Sequence, residues 1–264
     1  MTRLEAGVAT LTLNRPREMN SFDADTARAI VEAVEGFAAD PDVRVLVVAG
    51  EGPAFSAGGD FNWVLTWPRL DAITRRVGAD ALMGAVQAIY DFPKPSIARV
   101  HGATVGGGVG IMLACDFAIA VSDARFGLTS ARNGLLAGIA IPVLIQAVGP
   151  RVARQLLMHG GLFDSATALR LGLVDQVVEA GALDETVATL ASELKRGAPS
   201  VQTLVKKLIT EIDGRVLFWR DGRITTVSGA PRVAESVRWC RAWPGSSHGC
   251  GRTRRWHRWH RWPG

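Results

Sequence analysis

The chain has 264 residues, 48% hydrophobic and 21% charged, which is enough apolar material for a full core and an ordinary composition for a water-soluble protein. Its first residues lack the apolar run of a secretory leader, long apolar stretches are broken before spanning length, and Cys115, Cys240 and Cys250 are too scattered for a disulfide framework; a cytoplasmic protein is expected. The net charge of +5 is unevenly placed, with 19 Lys+Arg against 22 Asp+Glu over residues 1–212 and 11 Arg against 3 acids over residues 213–264.

Residues 8–13 alternate polar and apolar as a half-buried strand does, and Asn14-Arg15-Pro16 stops it. Asp23 then caps a helix whose apolar face is Ala27, Ile30, Val31, Val34 and Phe37. Residues 43–49 form an apolar strand, followed by the glycine turn Ala54-Phe55-Ser56-Ala57-Gly58-Gly59-Asp60. A helix is expected over residues 70–90, and Phe92-Pro93-Lys94-Pro95 leads into a strand at 96–100. A second glycine turn, His101-Gly102-Ala103-Thr104-Val105-Gly106-Gly107-Gly108, opens an apolar helix over 107–115. Residues 117–121 read as a third buried strand, and Arg125-Phe126-Gly127 as the start of the next crossover. After Gly149-Pro150 come helices at 152–159, 165–171, 183–196 and 200–212, interrupted by a short strand at 173–178. Strands alternating with helices predict an α/β fold with parallel pairing.

Each glycine turn places bare backbone directly after an apolar strand, and two free N–H groups aimed at one point hold a developing oxyanion. That pattern points to chemistry on a carbonyl. The bland alternative is that the glycines only let a helix pack closely on a strand.

The order of motifs resembles the crotonase, or enoyl-CoA hydratase/isomerase, superfamily. The resemblance runs over about residues 4–212 and rests on Leu13-Asn14-Arg15-Pro16 with Asn20, on the first glycine turn through Phe61, and on Pro93-Lys94-Pro95 through Gly102. Gly106-Gly107-Gly108, Ala114-Cys115-Asp116, Ala124-Arg125-Phe126-Gly127 and Ala168-Leu169-Arg170-Leu171-Gly172-Leu173-Val174 continue it. It implies a ββα superhelical core over residues 1–195, a C-terminal helical region starting at 196–212, and an aberrant segment at 213–264. It also implies an acyl-CoA thioester as substrate, with CoA as part of that substrate and no separate cofactor or metal. The oxyanion donors carry over to the N–H groups of Gly59 and Gly107, the second opening a helix whose dipole adds positive potential. Arg17, Glu18, Met19 and the Ala57 carbonyl carry over as contacts to the CoA nucleotide, and Gly59, Asp60, Phe61, Gly107 and Thr129 complete the expected substrate set. A homotrimer or a dimer of trimers is implied if the C-terminal segment permits it.

Hydratases of this superfamily use two glutamates, at positions that correspond here to Gly110 and Ser130. Neither titrates near neutral pH, so the two-carboxylate mechanism cannot run at these positions. Gly106-Gly107-Gly108-Val109-Gly110 and Arg132-Asn133-Gly134-Leu135 look most like the methylglutaconyl-CoA-type branch, which already has Gly at the first position; Ser130 removes the acid that branch retains. Among other candidates, Asp60 is expected to brace its loop, Asp116 and Asp123 to bind backbone or a cap, and His101 to be a satisfied structural histidine. Arg132 could meet a carboxylate on an acyl group or face solvent or a neighbouring subunit. Asp80 and Asp91 lie in the variable helix, where the sequence assigns them no role. The implied activity is that of a hydratase-like lyase of fatty acid metabolism. The alternatives are an isomerase, hydrolase or decarboxylase using the same enolate, or a silent acyl-CoA-binding relative.

Residues 213–264 hold six of the eight Trp, three of the five His and no Lys. Such a mixture has neither helical nor strand periodicity and reads as a disordered segment or as GC-rich coding sequence translated out of frame. Translating the gene in its other frames tests this, and finding no crotonase-like ending would reject it. Nucleic-acid binding through interleaved Arg and Trp is the functional alternative. Zinc binding by Cys240, His248, Cys250 and His257 fits no standard ligand spacing.

Overall fold

The computed structural model describes residues 1–213, 217–220 and 223–226. The chain begins with a hairpin, β1 (Thr2–Glu5) and β2 (Val8–Leu13), whose two-residue turn Ala6-Gly7 takes positive φ at both positions, 48° and 81°. All four residues of β1 are exposed, so no alternation marks it in the sequence. Helix α1 (Ala24–Ala39) follows; Asp23 accepts from the Thr26 N–H at its start, and Ala27, Ile30 and Val34 are its buried stripe.

From there one unit repeats. A long strand in one sheet is followed within a few residues by a short strand in a second sheet and then by helix. The first unit is β3 (Val45–Gly50), β4 (Ala54–Ser56), the short α2 (Phe61–Val64) and α3 (Ala72–Tyr90). The second is β5 (Ser96–Val100), β6 (Ala103–Val105) and α4 (Gly107–Ala114). The third is β7 (Phe117–Val121), β8 (Arg125–Gly127) and α5 (Ile141–His159). Then come β9 (Leu162–Asp164), α6 (Ser165–Leu171), β10 (Gln176–Val178), α7 (Leu183–Lys195) and α8 (Pro199–Asp213). Asp213, the end of α8, and a hairpin of β11 (Leu217–Arg220) and β12 (Arg223–Thr226) fall within the segment expected to be aberrant; the rest of that segment, including the proposed zinc and nucleic-acid residues, lies outside the described residues.

The long strands build a six-stranded sheet in the order β1-β2-β3-β5-β7-β10, parallel from β2 onward, and the short ones a four-stranded sheet in the order β4-β6-β8-β9. Each unit therefore stacks on the one before, β3 on β5 on β7 and β4 on β6 on β8, which is the expected ββα spiral. Parallel strands covered on both faces read as continuous apolar runs, and β3 is buried at all six positions. Helix α4 has Val109, Ile111 and Met112 fully buried and no polar side, as expected of a helix enclosed by the core.

Three boundaries differ from expectation. The glycine turns do not follow the long strands directly, because β4 and β6 intervene. Arg125–Gly127 is a paired strand, joined to β6 and β9, and not the start of a crossover. Helix α5 begins before Gly149-Pro150, and the chain bends within it at Gly149, where φ is 70° and ψ is 166°. Among the described residues no helix is long and apolar enough to cross a membrane.

Candidate active site

The short parallel strands bring the two glycine turns together. Ala54 pairs with Ala103 and Ser56 with Thr104, so the residues that follow β4 and β6 emerge side by side. The approach leaves no room for side chains. A Cβ on Gly58, which has φ of 85°, would overlap the Gly107 nitrogen and stand 2.7 Å from the Val105 oxygen. Gly106, at φ 57° and ψ −117°, donates its N–H to Gly127 O at 2.8 Å. A Cβ on Gly107 would overlap Ile139 Cδ1 and lie 3.0 Å from Phe22 Cζ and 3.3 Å from the Gly59 nitrogen. Because Cβ and N of one residue are about 2.5 Å apart, this 3.3 Å places the Gly59 and Gly107 nitrogens within about 6 Å of each other. Among the described residues neither N–H meets an acceptor. Gly107 is the first residue of the eight-residue α4, whose unpaired N-terminal amides carry partial positive charge. On the Gly59 side the space is open, with Leu82 Cδ1 the nearest atom to a Cβ position, at 3.7 Å.

The N-terminal loop holds the first turn in place. Phe22 N–H donates to Gly58 O at 2.8 Å, Asp60 N–H to Phe22 O at 2.9 Å, and Ala57 N–H to Met19 O at 2.8 Å. The Ser56 hydroxyl donates to Asn20 O at 2.8 Å and accepts from Gly58 N–H at 3.1 Å. Asn20, 1% exposed and at φ 54°, accepts from Arg15 N–H and donates to Glu51 O and Ala54 O. The left-handed backbone suits Asn better than most residues. Arg15 completes the latch, donating to Ser21 O at 2.9 Å and pairing with Asp60 Oδ2 at 3.1 Å. Asp60 also accepts from Trp63 N–H at 3.1 Å, capping α2; its carboxylate braces the loop, as expected. Arg15 lies 3.6 Å from Asp23 as well. Burial pushes the Asp23 carboxyl up, but hydrogen bonds from Thr26 and the Arg15 charge outweigh it and hold the group below its ordinary value.

The other expected positions are placed as follows. Arg17, Glu18 and Met19 are exposed on and just after the 3-10 turn Pro16–Glu18, beside the Ala57 backbone that bonds Met19. Phe61 is 47% exposed at the start of α2. Thr129 and Ser130 begin a second 3-10 turn, Thr129–Asn133, and are half-buried. Ser130 Oγ lies 3.9 Å from a Cβ position on Gly106 and has no hydrogen-bond partner among the described residues. A Cβ on Gly110 would stand 3.3 Å from Ala140 Cα and 3.4 Å from Ile139 O, so the segment before α5 closes over that position. Arg132 donates through Nε to His159 O at 3.2 Å and packs on Gly160, which ties it to the C-terminus of α5.

His101 bonds Gly52 O through Nε2 at 2.8 Å, and Asp116 accepts from Ser96 N–H, the Ser96 hydroxyl and Lys206. Asp123 is exposed. Asp80 pairs with Arg76 at 3.5 Å and Asp91 accepts from Gln87 at 2.5 Å. Among the described residues no group of three or more His, Cys, Asp or Glu converges as a metal set. Phe22, Leu82 and Ile139, the walls around Gly59 and Gly107, carry no local sequence signal that separates them from ordinary core residues. A groove of about 1020 Å³ between the outer face of the large sheet and α7 is lined by Thr10, Arg99, Asp184 and Val187 and includes neither glycine.

A stacked ββα spiral in which two glycine turns meet at a helix N-terminus defines the class, that of the crotonase fold. The chain matches the enoyl-CoA hydratase/isomerase family over residues 3–217 and belongs to it. It is 36% identical to the (E)-benzylidenesuccinyl-CoA hydratase of Thauera aromatica over 74% of this chain and 76% of that one. It is 34% identical to the crotonyl-CoA hydratase of Syntrophomonas wolfei over 72% and 73%. Among solved structures, the enoyl-CoA hydratase of Mycobacterium smegmatis superposes with a TM-score of 0.72 at 32% identity, covering 79% of this chain and 81% of that one.

Proposed function

We propose that the protein binds an acyl-CoA thioester with its carbonyl oxygen between the Gly59 and Gly107 N–H groups and stabilises the enolate formed there, as a hydratase-like lyase. The observation that carries this is the pair of amides without acceptors, close enough for hydrogen bonds of about 2.9 Å to one shared oxygen. Hydration of a 2,3-double bond forms a C–O bond between water and C3 as that water gives up one proton to solvent, while the π electrons move through C2 to the thioester oxygen. The two amides and the α4 dipole meet that charge, and C2 then takes a proton. Each such donor is worth ~10²–10³ in rate, so the amide pair supplies most of the acceleration. The names of the two hydratase relatives support a CoA thioester as substrate. Arg17, on the exposed rim, takes a CoA phosphate; Glu18, Met19, the Ala57 carbonyl, Phe61 and Thr129 line the path of the cofactor-like tail, and no further cofactor enters the chemistry.

Ser130, whose Oγ lies 3.9 Å from a Cβ position on Gly106, holds the attacking water by a hydrogen bond. A serine does not ionise near neutral pH, so it contributes position and little proton transfer. That favours slow hydration, and it gives a second reading its support: with Ala140 closing over Gly110 and a hydroxyl at 130, the site serves as an acyl-CoA-binding pocket that has lost turnover. An isomerase, hydrolase or decarboxylase acts through the same enolate.

The assembly is proposed from α8. Gln202, Thr203 and Lys206 bond this helix to the body, at Leu194 O, Pro93 O and Lys94 O, while Val201, Leu204, Val205, Leu208 and Ile209 are 43–62% exposed on the other side. An apolar stripe turned outward suits packing against further copies, as in a trimer, of a protein working in the cytoplasm. The activity is tested by turnover of crotonyl-CoA and methylglutaconyl-CoA by the full chain and by its Ser130→Glu variant. Slow wild-type hydration and a gain of about tenfold or more in the variant support a lapsed hydratase. Binding without turnover in both supports the silent reading, and failure of either thioester to bind overturns the proposal.

A further inference from the structure

An acyl group held at the Gly59 turn would lie against α3. Leu82, on α3, is the nearest side chain to the space at Gly59. Toward the C-terminus of that helix Val86 and Ile89 are buried in the core, at 4% and 0% exposure, so the wall continues toward the N-terminal half. One helical turn back, four residues or on the order of 6 Å along the axis, the buried residue on that face is Gly78. A glycine inside a helix costs roughly 0.5–1 kcal/mol relative to alanine, and here the missing Cβ is occupied. A Cβ on Gly78 would lie 2.9 Å from Trp63 Cζ2, 3.0 Å from Trp63 Cη2 and 3.7 Å from Trp67 Cζ2. The two indoles pack edge to face, with centroids 5.2 Å apart and planes at 88°.

Trp67 Nε1 is buried and has no hydrogen-bond partner among the described residues. In an indole Nε1 and Cζ2 are both bonded to Cε2, so the N–H lies on the edge of the ring that faces Gly78. An indole nitrogen only donates, and a buried donor without an acceptor is costly to keep. Leaving one on the face of α3 that runs from Leu82 to Gly78 is explained if an acceptor arrives with the substrate.

We propose that Trp67 reads the acyl group: its indole N–H donates to an oxygen near the far end of a short acyl chain, so the site prefers acyl groups bearing a hydroxyl or carboxylate oxygen over plain alkyl ones. This rests on the thioester reading above. Trp63 and Gly78 are the positioning residues, holding the indole against α3. Seating the oxygen requires a small outward shift of the 61–70 segment, whose Phe61 and Leu65 are 47% and 50% exposed and bear on solvent.

The test is isothermal titration of the full chain with pentanoyl-CoA, 5-hydroxypentanoyl-CoA and glutaryl-CoA, which share a chain length and differ in the terminal oxygen. The wild-type protein is expected to bind the hydroxy and carboxylate thioesters about fivefold to tenfold more tightly than pentanoyl-CoA, the size of one added hydrogen bond. Trp67→Phe should erase that preference and leave pentanoyl-CoA affinity within about twofold. Gly78→Ala, which displaces the indoles without removing the donor, should weaken the preference and serves if Trp67→Phe fails to fold by circular dichroism. An equal affinity for all three thioesters in the wild type, or a preference that survives Trp67→Phe, overturns the assignment of Trp67 while leaving thioester binding intact. If none of the three binds, the thioester reading fails and this assignment falls with it.

Discussion

Neighbouring glycines in the two turns do different work, and substitution separates them. Gly107→Ala adds a methyl group that meets the movable end of Ile139 and the edge of the buried Phe22 ring and stands 3.3 Å from the Gly59 nitrogen, in the space proposed for the thioester oxygen. Its expected effect is a fall of ~10²-fold in kcat/KM or in acyl-CoA affinity, with a thermal midpoint close to wild type, read by calorimetry alongside kinetics. Gly58→Ala instead puts a Cβ into the backbone of Gly107 at a φ of 85°, where nothing can yield. About 1–3 kcal/mol of stability should be lost, seen as a lower urea midpoint. A large activity loss for Gly58→Ala at full stability would contradict this division.

At the level of elements, three helices besides the short α2, which Asp60 caps, start on aspartate caps. Asp23 accepts from Thr26 N–H, Asp71 from Ile73 and Thr74 N–H, and Asp164 from Thr167 N–H. The Thr74 and Thr167 hydrogen bonds hold the carboxyls of Asp71 and Asp164 below the ordinary value of 3.8, and Asp23 is held below it despite the opposing effect of its burial. A depressed folded value means that ionisation favours the native state. The contribution is complete above the unfolded value, near 4, and is lost as pH falls through the folded values. The urea midpoint is therefore expected to be flat from about pH 7 to pH 5 and to drop below about pH 4. Asp23→Ala should cost about 1 kcal/mol at pH 7 and make that acid drop shallower; an unchanged drop would show that other groups govern it.

For the molecule as a whole, the proposed assembly is tested at α8. Its polar side chains bond the body while five large apolar residues face outward, the reverse of a helix that ends at the surface of a monomer. Leu208→Glu, at a residue 43% exposed in one chain, should leave the circular dichroism spectrum unchanged and lower the mass measured by light scattering toward that of a monomer. A wild-type protein that is already monomeric, or a variant that keeps its assembly, would remove α8 from the interface.

Local sequence was sufficient where one period or one backbone demand dominates. The long strands read as apolar runs because both faces are covered. Asp23 marks the start of α1 and the glycines at 58–59 and 106–108 mark the turns, because a tight approach of two backbones excludes side chains whatever surrounds them. The three-residue strands β4, β6 and β8 are too short to show a period, and they became strands only by pairing with one another across about fifty and about twenty residues of chain. The partners of Asp60 and Arg132, the closure of Ala140 over Gly110, and the walls at Phe22, Leu82 and Ile139 likewise depend on segments distant in sequence. The residues alone determined that two bare turns would follow a strand-rich core; only the stacked spiral decided that the two turns lie side by side, because proximity between remote segments is set by sheet pairing and leaves no trace in the spacing of either segment by itself.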